Sequence, residues 1–264
     1  EEKMMNVNMS IHKDRALRSA LLFTLLAIFF PLAGWGVTKQ NADDAYTKGN
    51  YQQAIADYKE LLKRGTSASL YYNLGNAYYR SDSLTQAILA YERASLLSPG
   101  DDDIRFNLQF ARSKTIDKIT PQSEMFFVTW YRALVNLAGV DSWATLSVVS
   151  LVLALLLLLA YLFAPYLGVR KVGFFGSIGF VVVFLLSNLF AYQQKQMMES
   201  HCGAIIVAPS VTVKKTPNAN SADAFVLHEG TRVDITDNSM KEWSGVRLAD
   251  GREGWLPTSQ LEHI

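Results

Sequence analysis

Cysteine is almost missing from this chain of 264 residues: Cys202 stands alone, which excludes an intramolecular disulfide framework and any CxxC zinc or redox motif. Histidine is scarce as well. His12, His201, His228 and His263 show neither HExxH nor a paired metal spacing. His201 and Cys202, as neighbours on an extended chain, point to opposite sides and make no joint ligand pair. GxSxG, SxxK and Cys-His signatures are also lacking. No catalytic residue, metal or cofactor is therefore expected, and the chain does not read as an enzyme. Neither charge is in excess. The 25 Lys plus Arg against 24 Asp plus Glu leave a net +1, too weak a field to draw nucleic acid, which is set aside as a partner.

Charge is also thin, at 19% of residues, and unevenly placed. Between Trp143 and Tyr192 only Arg170 and Lys171 carry it. Residues 143–167 form a 25-residue uncharged run, about 37 Å of helix, enough to cross a hydrocarbon core roughly 30 Å thick. Residues 172–192 form a second uncharged run of 21. The two read as a membrane hairpin with its turn at 168–171. Basic residues crowd into that turn while the outer flanks hold scattered ones such as Arg132 and Lys195, so the turn is expected to face the cytoplasm and both ends to lie outside. Gly173, Gly176 and Gly179 lack the strand and Walker lysine of a phosphate loop. Gly173 with Ser177 instead has the small-xxx-small spacing of close helix contact. Asn188 is read as sitting near the interface rather than bonding across the helices.

A second charge signal agrees with this orientation. Lys13, Arg15 and Arg18 precede an 11-residue uncharged run at 20–30, followed by Pro31, Ala33 and Gly34. That is the layout of a secretory signal. The run is short for a span, but 32–37 adds apolar length, so a cleaved signal peptide and an uncleaved anchor both stand. Either sends the chain beyond Gln40 outside.

From Asn41 to about Lys118 the pattern is one of amphipathic helices with an internal repeat. Ala42, Tyr46, Ala54 and Tyr58 recur 33 residues later as Gly75, Tyr79, Ala87 and Tyr91. Alternation of small and aromatic residues suits antiparallel helix pairs in close contact. A further helix from Ile104, with Phe106, Leu108, Phe110 and Ala111, is expected to cover the last pair, capped by the acidic run 101–103. Tyr71-x-x-Leu74-Gly75-x-x-Tyr78 with Ala87, Tyr91, Ala94 and Pro99 resembles the tetratricopeptide repeat (TPR). The first unit, through Gly49, Tyr51, Ala54 and Tyr58, resembles it less fully. By that resemblance a peptide- or helix-binding groove would be lined by Asp43, Tyr46, Tyr72, Asn76, Tyr79 and Phe106. Core packing is the competing reading for the aromatic ones.

Residues 124–140, EMFFVTWYRALVNLAGV, place Phe126, Phe127, Trp130, Tyr131, Leu134 and Leu137 near helical spacing. Two readings stand for them: a helix lying on the membrane surface, or one packed on the repeats. Beyond a polar tether at 193–200 the period becomes two. Val211 and Val213, Val233 and Ile235, and Val246 and Leu248 alternate with polar residues as half-buried strands do, separated by turns at 216–218, 229–230 and 250–251. About 60 residues of this kind suggest a small barrel. The run Val211-x-Val213, Pro217, Leu227-x-x-Gly230-x-x-Val233, Trp243-x-x-Val246, Gly251-x-x-Gly254-Trp255-Leu256 and Leu261 resembles a bacterial SH3 domain, which implies cell-wall peptide binding or inter-domain packing. Trp243 and Trp255 would line a groove or fill the core.

The fold class expected is therefore a multidomain membrane protein of TPR hairpins, two transmembrane helices and a small all-β SH3-like barrel. Its parts are a signal or anchor leader over 1–38, TPR-like helices over 39–118 and an amphipathic connecting helix over 119–142. Transmembrane helices follow over 143–167 and 172–192, about a cytoplasmic turn at 168–171, then a linker over 193–207 and the SH3-like domain over 208–264. In this order the parts resemble the BatE group of the Bacteroides aerotolerance operon. The resemblance implies a non-enzymatic scaffold, multi-pass in a bacterial inner membrane, with its TPR and SH3-like domains in the periplasm. It implies as partners von Willebrand factor A-domain proteins, other TPR proteins and a MoxR-type AAA+ ATPase. Peptidoglycan, met through the SH3-like domain, is the alternative ligand.

Overall fold

Small residues decide how the helical region packs. In the computed structural model, which describes residues 37–199 and 202–264, it begins with helices α1 (Lys39–Thr47), α2 (Tyr51–Arg64), α3 (Ala68–Arg80), α4 (Leu84–Leu97) and α5 (Asp102–Arg112). The basic N-terminal segment and His12 lie outside the described residues, as does His201. Side-chain oxygens of Thr38, Ser67 and Asp101 cap α1, α3 and α5 by accepting from backbone N–H groups of the first turn, which satisfies donors the helices cannot. The acidic run at 101–103 is thus a cap with two first-turn carboxylates. Ala42, Ala54 and Ala77 are wholly buried between helices. A methyl on Gly75 would stand 2.6 Å from the ring of Tyr91, so α3 and α4 meet at a distance only glycine permits.

In α4 every residue from Ala87 to Glu92 is buried, which a helix covered on one side cannot achieve. Its second cover is the C-terminal sheet. That sheet has seven strands, β1 (Gly203–Ile206), β2 (Ser210–Lys214), β3 (Asp223–His228), β4 (Arg232–Asp237), β5 (Trp243–Arg247), β6 (Glu253–Pro257) and β7 (Leu261–His263). All pairings are antiparallel, in the order β3-β2-β6-β5-β4-β1-β7. Leu227 of β3 and Leu261 of β7 share one core cluster with Val213, Val233, Val246 and Leu256, so the sheet curls around its inner face. It is nevertheless open. The small barrel expected from the strand pattern is corrected to this extent, since β3 and β7 remain edges.

β1 lies within residues expected to be linker. Ala204 and Ile206 face the sheet's own core, whereas Ile205 enters the helical core beside Ala87, Ile88 and Leu108. A strand buried on both faces shows no alternation, so Ala204-Ile205-Ile206 carries no period-two signal. Thr38–Ile264 accordingly pack as one unit.

The hairpin consists of α7 (Val140–Phe163) and α8 (Leu167–Glu199), preceded by a short apolar helix α6 (Phe126–Val135). Both long helices have the length and composition to cross a membrane. They reverse at 164–166 rather than 168–171, because Pro165 cannot continue α7 and holds Ala164 extended. Gly168, Arg170 and Lys171 join the first turns of α8. The expected tether from 193 is likewise helical to Glu199, and Gln194 Nε2 donates to Val135 O at 3.1 Å. Between the long helices the contact face is small: Ser147, Ser150 and Ala154 against Gly173, Ser177 and Ser187. A methyl on Gly173 would come within 2.6 Å of Leu157 O. Asn188 Nδ2 donates across to Ser147 Oγ at 2.6 Å, so contrary to expectation it does bond between the helices.

Candidate functional site

The helices α1, α3 and α5 lie side by side and are linked by a polar ladder. Asp43 on α1 accepts from Asn73 of α3 at 3.2 Å and from the Tyr58 hydroxyl at 2.6 Å. Asn107 on α5 donates to Asn76 Oδ1 and to the Tyr72 hydroxyl, each at 3.0 Å, and Asn76 also accepts from Tyr91 at 2.7 Å. These bonds fix the register of the three helices. Burial acts to raise the pKa of Asp43, but bonds from Lys39, Tyr58 and Asn73 outweigh it and hold the carboxyl below its ordinary value. Burial pushes the Tyr58 and Tyr91 phenols up, so both remain donors at physiological pH.

On this ladder sits an aromatic strip. Phe106 and Phe110, one turn apart on α5, stack with ring centroids at 6.4 Å and planes 6° apart, and Tyr79 meets Phe110 at 5.7 Å. Phe106 is 67% exposed and Phe110 44%. At the other end Tyr46 meets Tyr51 edge-on at 5.6 Å, with the Arg80 guanidinium over the Tyr51 ring.

The six residues expected along the groove therefore fall into three kinds. Tyr46, Tyr79 and Phe106 carry apolar surface on the strip. Asp43 and Asn76 have their oxygens engaged inside the protein. Tyr72 is half-buried, with its ring 6.0 Å from Tyr91. Sequence reasoning missed Asn73, Asn107 and Phe110. A 34-residue offset finds two of them, since it carries Asn73 to Asn107 and Asn76 to Phe110.

In the sheet, Val246 and Leu248 point into the core, so Trp243, at odd spacing from Val246, must point outward. Trp255 beside core Leu256 does the same. The register pairs Gly245 with Trp255 and Trp243 with Pro257, placing the two indoles diagonally on one outer face. Both are half-buried and neither belongs to the sheet's core, so the core-filling reading of the tryptophans is set aside.

The segment between α5 and α6 fastens helices to sheet. Asp117 accepts from the His228 backbone N–H at 2.7 Å, from Thr231 Oγ1 at 2.7 Å and from His228 Nδ1 at 2.9 Å. Burial tends to raise its pKa, yet the bonds from His228 and Thr231 keep it below the usual carboxylate range. Gln122 donates to Asp250 O at 2.8 Å, and Arg93 of α4 donates to His263 O at 2.6 Å. Among the described residues no group of three or more His, Cys, Asp or Glu is placed to hold a metal ion.

Residues 40–102, spanning α1 to the first residue of α5, match the family model described as Tetratricopeptide repeat. No curated protein matches the chain.

Proposed function

We propose that this protein is a non-enzymatic membrane scaffold that binds partner proteins along the α1-α3-α5 groove. The observation that carries the reading is the stacked, solvent-exposed Phe106–Phe110 pair above a hydrogen-bonded polar floor. Exposed aromatics on a rigid frame are what protein-binding surfaces use as anchors, because they bring large apolar area at little entropic cost. The tetratricopeptide match over residues 40–102, which takes in α1 and α3 and only the first residue of α5, supports it. The helices α7 and α8 anchor the chain in a bacterial inner membrane, with Arg170 and Lys171 at the cytoplasmic end and the repeats and SH3-like sheet in the periplasm. In keeping with the resemblance to the BatE group, the partners are von Willebrand factor A-domain proteins or other TPR proteins of a stress complex, with a MoxR-type ATPase reached at the cytoplasmic end. Affinity purification of the tagged full chain from gently solubilised membranes tests this. Stoichiometric companions should be recovered by wild type and lost from a Tyr79→Ala, Phe106→Ala variant. Equal recovery by both would refute the groove.

A second reading rests on a different observation, the outward placement of Trp243 and Trp255 on one face of the sheet. Such a face suits stacking on cell-wall peptides or sugars. Co-sedimentation of the detergent-solubilised full chain with purified peptidoglycan, reduced by Trp243→Ala and Trp255→Ala, is the expected result if this face binds the wall. No co-sedimentation at micromolar concentration would dismiss it.

A further inference from the structure

The helix α6 leaves its most apolar side uncovered. Phe126 is 85% exposed and Trp130 65%, with Phe127 exposed beside them. At 100° per residue these three fall within one arc. Tyr131 and Val135 follow on the adjoining arc, which packs on α8, while Thr129 and Arg132 occupy the opposite side. Arg132 is held there by Glu124 at 2.9 Å. An amphipathic helix with aromatics on its free face has the composition of one that lies in a lipid headgroup region.

What covers that face follows from where α6 is attached. Its contacts on α8 are at Phe190, whose ring meets Tyr131 at 6.1 Å, and at Gln193, whose Oε1 accepts from the Tyr131 hydroxyl at 2.7 Å. Those positions bracket Tyr192, where the uncharged run of α8 ends. On α7 the matching level is Trp143, the first residue of its uncharged run, whose indole N–H donates to Val135 O at 2.9 Å and whose ring meets Phe190 at 5.0 Å. Both attachments stand where an apolar span gives way to polar sequence, the depth at which tyrosine and tryptophan gather in membrane proteins. The helix α6 is therefore attached to the hairpin at the level where its apolar surface ends.

We infer that α6 is a third membrane element, lying in the headgroup–acyl boundary of the bilayer that α7 and α8 cross, with Phe126, Phe127 and Trp130 inserted into lipid. This rests on the membrane reading of the hairpin. A cleft of about 650 Å³ between α6 and the end of α8, bordered by Tyr131, Arg132, Val135, Gln193, Met197 and Glu199, opens beside the same boundary. The consequence is mechanical. The corner after α6 meets the end of α4 backbone to backbone, since a methyl on Gly100 would stand 2.5 Å from Leu137 O and one on Gly139 2.8 Å from Leu97 O. Anchoring α6 therefore sets the repeats at a fixed height on the membrane surface.

The test uses the full chain, as Cys202→Ser, in lipid nanodiscs of phosphatidylethanolamine and phosphatidylglycerol. Single spin labels are placed through Trp130→Cys, Leu155→Cys in mid-α7 and Lys59→Cys on exposed α2, and the accessibility of each to oxygen and to a water-soluble nickel chelate is measured. The label at 130 is expected to show an oxygen-to-nickel ratio several-fold above that at 59 and nearer that at 155. A lipid-like ratio at 155 with a water-like ratio at 130 overturns the inference and leaves the hairpin in the membrane, its α6 face then being a site for protein. Water-like ratios at both positions overturn the membrane reading itself. A label-free measurement guards against disturbance by the substitution: headgroup-proximal brominated lipid should quench wild-type fluorescence more than that of Trp130→Phe, and equal quenching would count against insertion.

Discussion

Truncating Ile205 to alanine should separate the helical repeats from the sheet without unfolding either. The side chain is fully buried and is the one residue of β1 that belongs to the helical core cluster. Ile205→Ala removes three carbons, about 2.4 kcal/mol of transfer free energy at roughly 0.8 kcal/mol each. A residual cavity brings the total to about 3 kcal/mol, within the range of about 2–5 kcal/mol for such truncations. At 1.4 kcal/mol per factor of ten, the contact between α4 and β1 should open roughly a hundred times more often. Hydrogen exchange with mass spectrometry on the full chain in detergent reads this directly. Peptides covering Leu84–Leu97 and 203–207 should lose protection, while those covering the β2–β3 hairpin, whose Val213 and Leu227 lie in the sheet's own core, should not. Unchanged protection across α4 would refute the role of Ile205 as the wedge. Uniform loss over the whole sheet would show that β1 matters for the sheet and not for the docking.

Three further outcomes are expected. Gly75→Ala drives a methyl into the buried Tyr91 ring. The overpacking cost of about 1–3 kcal/mol should exceed the gain of about 1 kcal/mol in helix propensity, lowering the urea midpoint of the helical signal, and an unchanged midpoint contradicts the close approach. Asp117→Ala leaves three donors, the His228 backbone N–H and Nδ1 and the Thr231 hydroxyl, without their acceptor and should destabilise the full chain by about 2 kcal/mol at pH 7. Because the folded pKa of Asp117 lies below its unfolded value, its stabilisation is present above the unfolded pKa and is lost as pH falls through the folded one. The gap between wild type and variant should therefore close in acid, and a gap constant from pH 7 to pH 3 would show that the carboxylate charge plays no part. Gly173→Leu should force α7 and α8 apart, lengthening the distance between spin labels at Val149 and Leu185. Gly179→Leu, at a position with open space around it, should leave that distance unchanged, and equal effects would refute the contact.

The long helices were legible because composition alone specifies them: an uncharged run of 25 residues has few other destinations. The helix pairs were legible from small and aromatic residues at fixed spacing, and the Asp101 cap from its place before an apolar helix. Charge alone puts the hairpin turn at 168–171, but Arg170 and Lys171 fit in a first helical turn whereas Pro165 does not fit in a last one. The outward face of Trp243 follows from its odd spacing to core Val246. The fastening of helices to sheet was beyond reach. Asp117 bonds partners 111 and 114 residues away, and Ile205 sits in a strand whose two buried faces erase the usual signal. Along α1, α3 and α5 the aromatic residues are legible in the sequence, but which of them supply surface is not. Whether a helical tyrosine supplies surface or core depends on the neighbouring helix, and that is a tertiary fact.

Photo-crosslinking from the groove tests the scaffold reading most directly. With p-benzoylphenylalanine in place of Phe106 in the full chain, irradiation of native membranes should give one discrete protein adduct, suppressed by Tyr79→Ala. The same amino acid in place of Lys59, exposed on α2, should not give it. Absence of any adduct from position 106, or the same adducts from both positions, would contradict binding in the groove.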